Sequence, residues 1–330
     1  SVGRNSASTI GKLTDEQLKG LSSDQVGGLT SSQVSALSAK QLNGLSTSQI
    51  AGLDSYDVAS INTAVISSLT TATLKSLTSQ QMSAITTAQV RALKGAQISN
   101  LGSTQLSGLG TASIAALSTA QVAAMNSAIL GQLSTAQIQG FTTEAISSLS
   151  TAQIAGLNAG KFTALTSNQV GALKASQLNT LDSAQLQGIE TADMGAIGTS
   201  ALASLGTAQV NKLLSSQIAA LTTAQISKLT VDQISNLGTT QIGGLETEDI
   251  AALTSTQIGA ISSAELTQLS TNQIQGFTSN AIGSLSTTQL AGLNASKFTA
   301  LTSSQVGALK ASQIKTLTST QIQGIEASDL

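Results

Sequence analysis

Apolar residues recur every eight positions along the chain. From Leu13 the series runs through Leu21, Leu29, Leu37, Leu45, Leu53 and Ile61, then by way of Met125, Phe141, Leu205 and Phe277 to Ile325, without a slip. Self-similarity at a fixed period outranks every other signal in a sequence. Numbered from this residue, the octad reads Leu-Thr-x-x-Gln-Ile-x-Ala, with apolar side chains at positions 1 and 6. About 41 octads run from Asn5 to the C-terminus, the first degenerate and the last cut short.

Neither continuous element accommodates this spacing. In one long helix, eight residues at about 100° each rotate by roughly 800°, so an octad stripe drifts about 80° per repeat and offers no fixed face. The period is also not that of a simple coiled coil. In one long strand, apolar separations of five and three are odd and would send successive apolar side chains to opposite faces. A turn in every repeat would reset that alternation, which keeps a β-solenoid as the alternative.

A short helix in each octad fits the residues best. Position 2 is mostly Ser or Thr, and its replacements include Asp54, Asp182, Asn62, Asn126, Asn158, Asn294, Gly102 and Gly206. These are the residue types preferred at a helix N-cap. Position 5 is Gln in 26 octads. Ser/Thr-x-x-Gln is a capping box, and apolar residues at positions 1 and 6 then stand where a hydrophobic staple closes. Lys94, Lys174, Lys310 and Leu214 at the cap position, and Val65, Ile129, Ala145 and Ala281 in place of Gln, read as weak repeats that neighbours support. A helix of roughly six residues is not stable alone. The expected fold is therefore all-α, a solenoid of very short helices, one per octad, with an aliphatic core buried only when turns stack. Position 8, usually Ala, Gly or Ser, allows close approach and a sharp turn. On this reading Gln137→Ala costs about 0.5–1.5 kcal/mol as one net hydrogen bond, and Leu149→Ala roughly 2–5 kcal/mol.

A longer period overlies the octad. Residues 141–194 return at 277–330, a shift of 136 residues or seventeen octads, so that 141–276 forms one block and 277–330 opens another. The acidic pairs Asp54/Asp57, Glu190/Asp193 and Glu326/Asp329 fall in register across this period. No linker or change of composition interrupts residues 1–330, which read as one continuous array. Leu330 stops in mid-octad, as expected of a window cut from a longer array.

Composition narrows the chemistry. The chain has no Cys, His, Pro or Trp, 9% charged residues and a net charge of −2. Without His or Cys, thiolate- or imidazole-bound metals, haem ligation, disulfides and Cys or Ser-His-Asp catalysis are excluded. Fourteen Lys and Arg against sixteen Asp and Glu argue against an electrostatic nucleic-acid binder. No apolar run is long enough to span a membrane. The glycines form no phosphate-cradling motif, and a repeated low-charge array presents no unique cleft. The expectation is a protein that is not an enzyme, with no catalytic, cofactor-binding or metal-ligating residue, no cofactor and no small-molecule substrate.

Four features stand out within that plain background. The acidic pairs at positions 2 and 5, Asp54/Asp57, Glu190/Asp193, Glu246/Asp249 and Glu326/Asp329, read either as calcium ligands or as acidic capping boxes. Capping is favoured, since two carboxylates fall short of a calcium shell. Lys161-Phe162 and Lys297-Phe298 read as a local core variation with the Lys exposed, or with Phe141 and Phe277 as a lateral-contact patch between filaments. Rows of Ser and Thr at positions 2 and 3 offer a regular hydroxyl array suited to a lattice such as ice.

The octads LSTAQIAGL, LTTAQISKL and LTSSQVGAL resemble the Ser/Thr/Ala/Gln-rich tandem repeats of large secreted bacterial surface proteins of the adhesin and biofilm-matrix kind. That resemblance implies an extracellular or cell-surface location and a spacing or matrix role. Scarce Lys and absent Cys suit a long extracellular chain that avoids cross-linking and proteolysis. The LTxxQ(V/I)xxL segment is also similar to the opening helix of TAL-effector repeats. Those repeats are several times longer, and their second helix and base-reading loop have no counterpart, so no DNA-binding role carries over. The expected function is a structural filament, adhesin stalk or matrix fibre whose partner is itself. The alternative is a solenoid that binds glycan, ice or protein.

Overall fold

The computed structural model describes residues 6–330; Asn5, which opens the first octad, lies outside them. Among the described residues there are 40 α-helices of four to six residues, from Ala7–Gly11 to Ser319–Gly324, followed by a 3-10 turn at Ala327–Asp329, and no strand. There is one such element per octad, as the capping pattern predicts, and the β-solenoid alternative is not adopted.

Most helices begin where position 2 places a side-chain acceptor. Thr222 Oγ1 accepts from Gln225 N at 3.2 Å, and Thr222 N donates to Gln225 Oε1 at 2.7 Å, which closes the capping box in both directions. An extended N-cap residue separates each helix from the next, and in many cases the C-cap before it is extended too. At Leu53 and Asp54, for example, ψ is 133° and 177°. No described residue has positive φ, glycine included. Several glycines at position 8 serve close approach instead. A Cβ on Gly156 would lie 2.5 Å from Ser127 Cβ and 2.7 Å from Ser127 O.

The chain divides into two compact units, one ending at Leu165 and the other spanning Thr166–Leu330. In each, a helix packs chiefly on the third helix further along. In the first unit Ser23–Gly27 meets Thr47–Gly52, and Ser79–Ser83 meets Ser103–Gly108; in the second, Thr247–Ala252 meets Thr271–Gly276. Each unit is thus a solenoid whose turns take between three and four octads. Positions 1 and 6 fill its centre, position 6 most completely: Ile226, Ile234 and Ile242 are 0% exposed. Burial depends on a following turn, since Ile314 and Ile322, also at position 6 but in the last turn, remain 47% and 43% exposed. No helix among the described residues is long and apolar enough to cross a membrane.

The phenylalanines lie inside. Phe141, Phe162, Phe277 and Phe298 are all buried, so they do not form a lateral-contact patch. Lys161 and Lys297 are buried as well, contrary to the expectation of exposed lysines.

Candidate functional site

Position 5 is the chemically active position of the octad, and it joins turns as well as starting helices. In a helix this short the last carbonyls have no intrahelical partner. The Gln Nε2 of a later turn supplies one. Gln81 Nε2 donates to Ile50 O at 2.8 Å and Leu53 O at 2.7 Å, which end the helix Thr47–Gly52 one turn earlier. Gln89 does the same to Val58 O and Ile61 O. In the second unit Gln225 reaches Met194 O at 2.9 Å and Ile197 O at 2.7 Å, and Gln241 reaches Val210 O and Leu213 O at 2.8 Å. The sequence separations are 31 and 28 residues each time, so 28 residues, three and a half octads, carry the chain back under itself. One amide therefore caps the start of its own helix and the end of another.

This second role corrects the reading of Gln as a capping residue alone. The side chains are nearly inaccessible, Gln225 and Gln233 being 1% exposed. A buried polar group is tolerated only when hydrogen-bonded, and no buried side-chain nitrogen or oxygen among the described residues lacks a partner.

The weak repeats lose one half of the arrangement and keep the other. At Lys94 and Leu214 the cap side chain makes no bond, yet their amides still donate to Gln97 Oε1 at 2.8 Å and Gln217 Oε1 at 3.0 Å. Where Ile129, Ala145 or Ala281 replaces Gln, only the forward bond to the cap acceptor remains. Thr73 shows a substitute that sequence reasoning missed. Asn43, in the preceding turn, accepts from Thr70 N at 2.9 Å and Thr73 Oγ1 at 2.8 Å, and donates to Ser68 O at 3.2 Å. Asn179, 136 residues on at the same position 7, makes the equivalent bonds, from Gly206 N at 2.9 Å and to Ser204 O at 3.1 Å, although Gln209 is present there.

One of the two basic replacements preserves an inter-turn contact. Lys297 Nζ donates to Thr267 O at 2.9 Å, so its ammonium stands in for the Gln amide, which is why the side chain is buried.

The acidic pairs divide. Asp54/Asp57 forms a full capping box: Asp57 N donates to Asp54 Oδ1 at 2.8 Å and Asp54 N to Asp57 Oδ2 at 3.2 Å. Glu246/Asp249 keeps only the bond from Glu246 N to Asp249 Oδ2, at 3.1 Å. Glu190 and Glu326 make no side-chain cap, consistent with the preference for Asp over its longer homologue at an N-cap. Instead a Ser hydroxyl 26 residues earlier donates to the Asp: Ser167 to Asp193 and Ser303 to Asp329, as Ser31 does to Asp57 at 3.4 Å. Among the described residues no three Asp or Glu side chains are grouped so as to hold a metal ion.

Burial pushes the carboxyls of Asp57 and Asp249 up from the ordinary 3.8, for Asp249 with the charges of Glu246 and Glu248 adding to the rise. The folded state then holds its proton to higher pH than the unfolded state. The stability these groups contribute is present below about pH 3.8 and is lost as pH rises through the folded value. Asp249→Gln removes the buried charge and extends an amide toward Ile218 O and Leu221 O. It is expected to raise stability at pH 7 by about 1–2 kcal/mol, with the gain shrinking toward pH 4. Urea unfolding at both pH values checks this.

One open groove of about 760 Å³ lies in the second unit, lined by Ser216, Thr240, Glu246, Glu248, Gln268 and Asn272 among others. It is wide, hydroxyl- and carboxylate-lined, and has no aromatic wall.

Fold and joint together define a tandem-repeat protein built from short helices. The ALTTAQ repeat family is matched at residues 98–135, 186–223, 215–247 and 242–279. The six letters stand unaltered at Ala220–Gln225. They run from position 8 to position 5, which is the close-approach residue, the core Leu, the N-cap, two helical residues and the clamping Gln. None of the curated proteins compared matches the chain.

Proposed function

We propose that the chain is a structural spacer at the cell exterior, a stalk or matrix fibre that associates with copies of itself and carries out no catalysis. The observation that carries this reading is the recurring joint. Within each unit the same Gln amide ties turn to turn at the same 28- and 31-residue separations. Stability in such arrays is a sum of repeat and nearest-neighbour terms, so length is added without redesigning the joint. The exterior location rests on the resemblance to secreted surface repeats and on the Cys-free, Lys-poor composition.

Inserting a second copy of residues 141–276 in register tests the spacer role. The particle should lengthen without widening in negative stain and X-ray scattering. Widening, or collapse to a globule, contradicts it. Protease treatment of intact cells tests location: loss of the array from unbroken cells is expected, and full protection contradicts the exterior assignment.

A further inference from the structure

The chain keeps one aromatic ring on its surface. It has four Phe, one Tyr and no Trp; the Phe side chains are buried, whereas Tyr56 is 80% exposed. Tyr56 stands at position 4 of its octad, and its counterparts 136 and 272 residues on, in the longer repeat, are Ala192 and Ser328. The helix does not need a ring there, since Thr191–Met194 forms with Ala192 in that place. The ring is an addition that the fold itself does not require.

Tyr56 lines a cleft. About 350 Å³ opens between the helix Ser55–Ser60 and the helix Ser79–Ser83, three helices further on, walled by Leu53, Asp54, Tyr56, Thr78 and Gln80 among others. The cleft belongs to the winding, because its equivalent recurs 240 residues on, at about 250 Å³, between Leu293, Asn294, Thr318 and Thr320. There the residue matching Tyr56 is Ser296. The polar groups beside the ring suit hydroxyls. Asp54, Thr78 and Gln80 are exposed. Thr78 Oγ1 accepts from Gln81 N at 3.1 Å and keeps its own proton to donate. Asp54 adds carboxylate oxygens, and the Gln80 amide both donates and accepts. Ligand sites join an apolar wall to a few placed polar groups, in volumes from about 300 Å³ upward.

We infer that the cleft at Tyr56 binds one sugar unit of a neutral glycan, with the phenol ring as its platform. A pyranose has a face of C–H bonds bearing slight positive charge, which is attracted to the negative face of an aromatic ring, and an edge of hydroxyls that donate and accept. A cation would satisfy the ring and Asp54, but it would leave the Thr78 hydroxyl and the Gln80 amide nitrogen without an acceptor. The site goes beyond the spacer role and does not depend on it.

Tyrosine emission reports this residue alone, because the chain has no other Tyr and no Trp. Cellotetraose, tetra-N-acetylchitotetraose and mannotetraose are titrated in turn into the full chain, with isothermal calorimetry alongside. At least one should change the emission saturably. Tyr56→Ala, with its helical spectrum unchanged, should weaken calorimetric binding of that sugar by about tenfold, the loss of one aromatic contact. Tyr56→Phe should retain most of the affinity. Asp54→Asn, which still caps the helix, should bind the neutral sugar nearly as well as the wild type. No response to any of the three sugars, or binding that Tyr56→Ala leaves intact, would overturn the assignment. So would binding of an arginine-containing peptide in place of the sugars, lost in Asp54→Asn, which would give the cleft to a basic partner.

Discussion

Gln137→Ala is expected to destabilise the chain by about 2–4 kcal/mol, well above the contribution of one ordinary hydrogen bond. The side chain makes three bonds besides its own amide: Ser134 N donates to Oε1 at 2.9 Å, and Nε2 donates to Leu106 O at 2.6 Å and Leu109 O at 2.8 Å. Truncation removes all three bonds, and it is the unsatisfied buried group that carries the larger penalty. Leu106 O retains the bond from Leu109 N at 3.1 Å, so the loss falls on Ser134 N and Leu109 O. Ser134→Ala removes only the forward cap and should cost about 1 kcal/mol. Urea unfolding of the two variants decides the matter. If Gln137→Ala is no worse than Ser134→Ala, the bonds between turns contribute nothing.

Phe162→Ala should cost about 3–5 kcal/mol, because it empties the largest type of side chain in the core. Phe162 is 1% exposed, at position 6 of its octad. Tyr56→Ala provides the contrast. Tyr56 is 80% exposed, and its removal should change stability by no more than about 0.5 kcal/mol. A large loss at Phe162 that appeared only in an assembly assay, with unfolding unchanged, would restore the lateral-contact role that its burial removes.

The parts of this fold legible in the sequence are those decided within one octad. The cap at position 2, the returning Gln at position 5 and the staple of positions 1 and 6 all act across at most five residues. Their agreement in the majority of repeats leaves one local structure. The path of the chain beyond the octad was not legible, because it depends on which carbonyl 28 or 31 residues earlier comes under each Gln. Nothing in the spacing of Thr222 and Gln225 announces Met194 and Ile197. The misread residues share that cause. Lys297 at position 5 looks exposed if the position only caps a helix, and is buried once it also reaches Thr267 O. Asn43 looks like a variable surface residue until it is seen to serve Thr70 and Thr73 in the following turn. Glu190, an apparent copy of Asp54 in the longer repeat, fails as a cap because of one additional methylene.

The return of the chain upon itself within three to four octads is most directly tested by a disulfide, in a protein that has no cysteine of its own. A Cβ on Gly171 would stand 3.8 Å from Ala196 Cβ, the mean separation across a disulfide, about 3.8 Å. Gly171→Cys/Ala196→Cys should close rapidly on mild oxidation, read as a shift on a non-reducing gel. Gly171→Cys/Ser204→Cys, one octad out of step, should remain reduced under the same conditions. Equal rates for the two pairs, or faster closure of the second, would contradict the winding and with it the glutamine joint between turns.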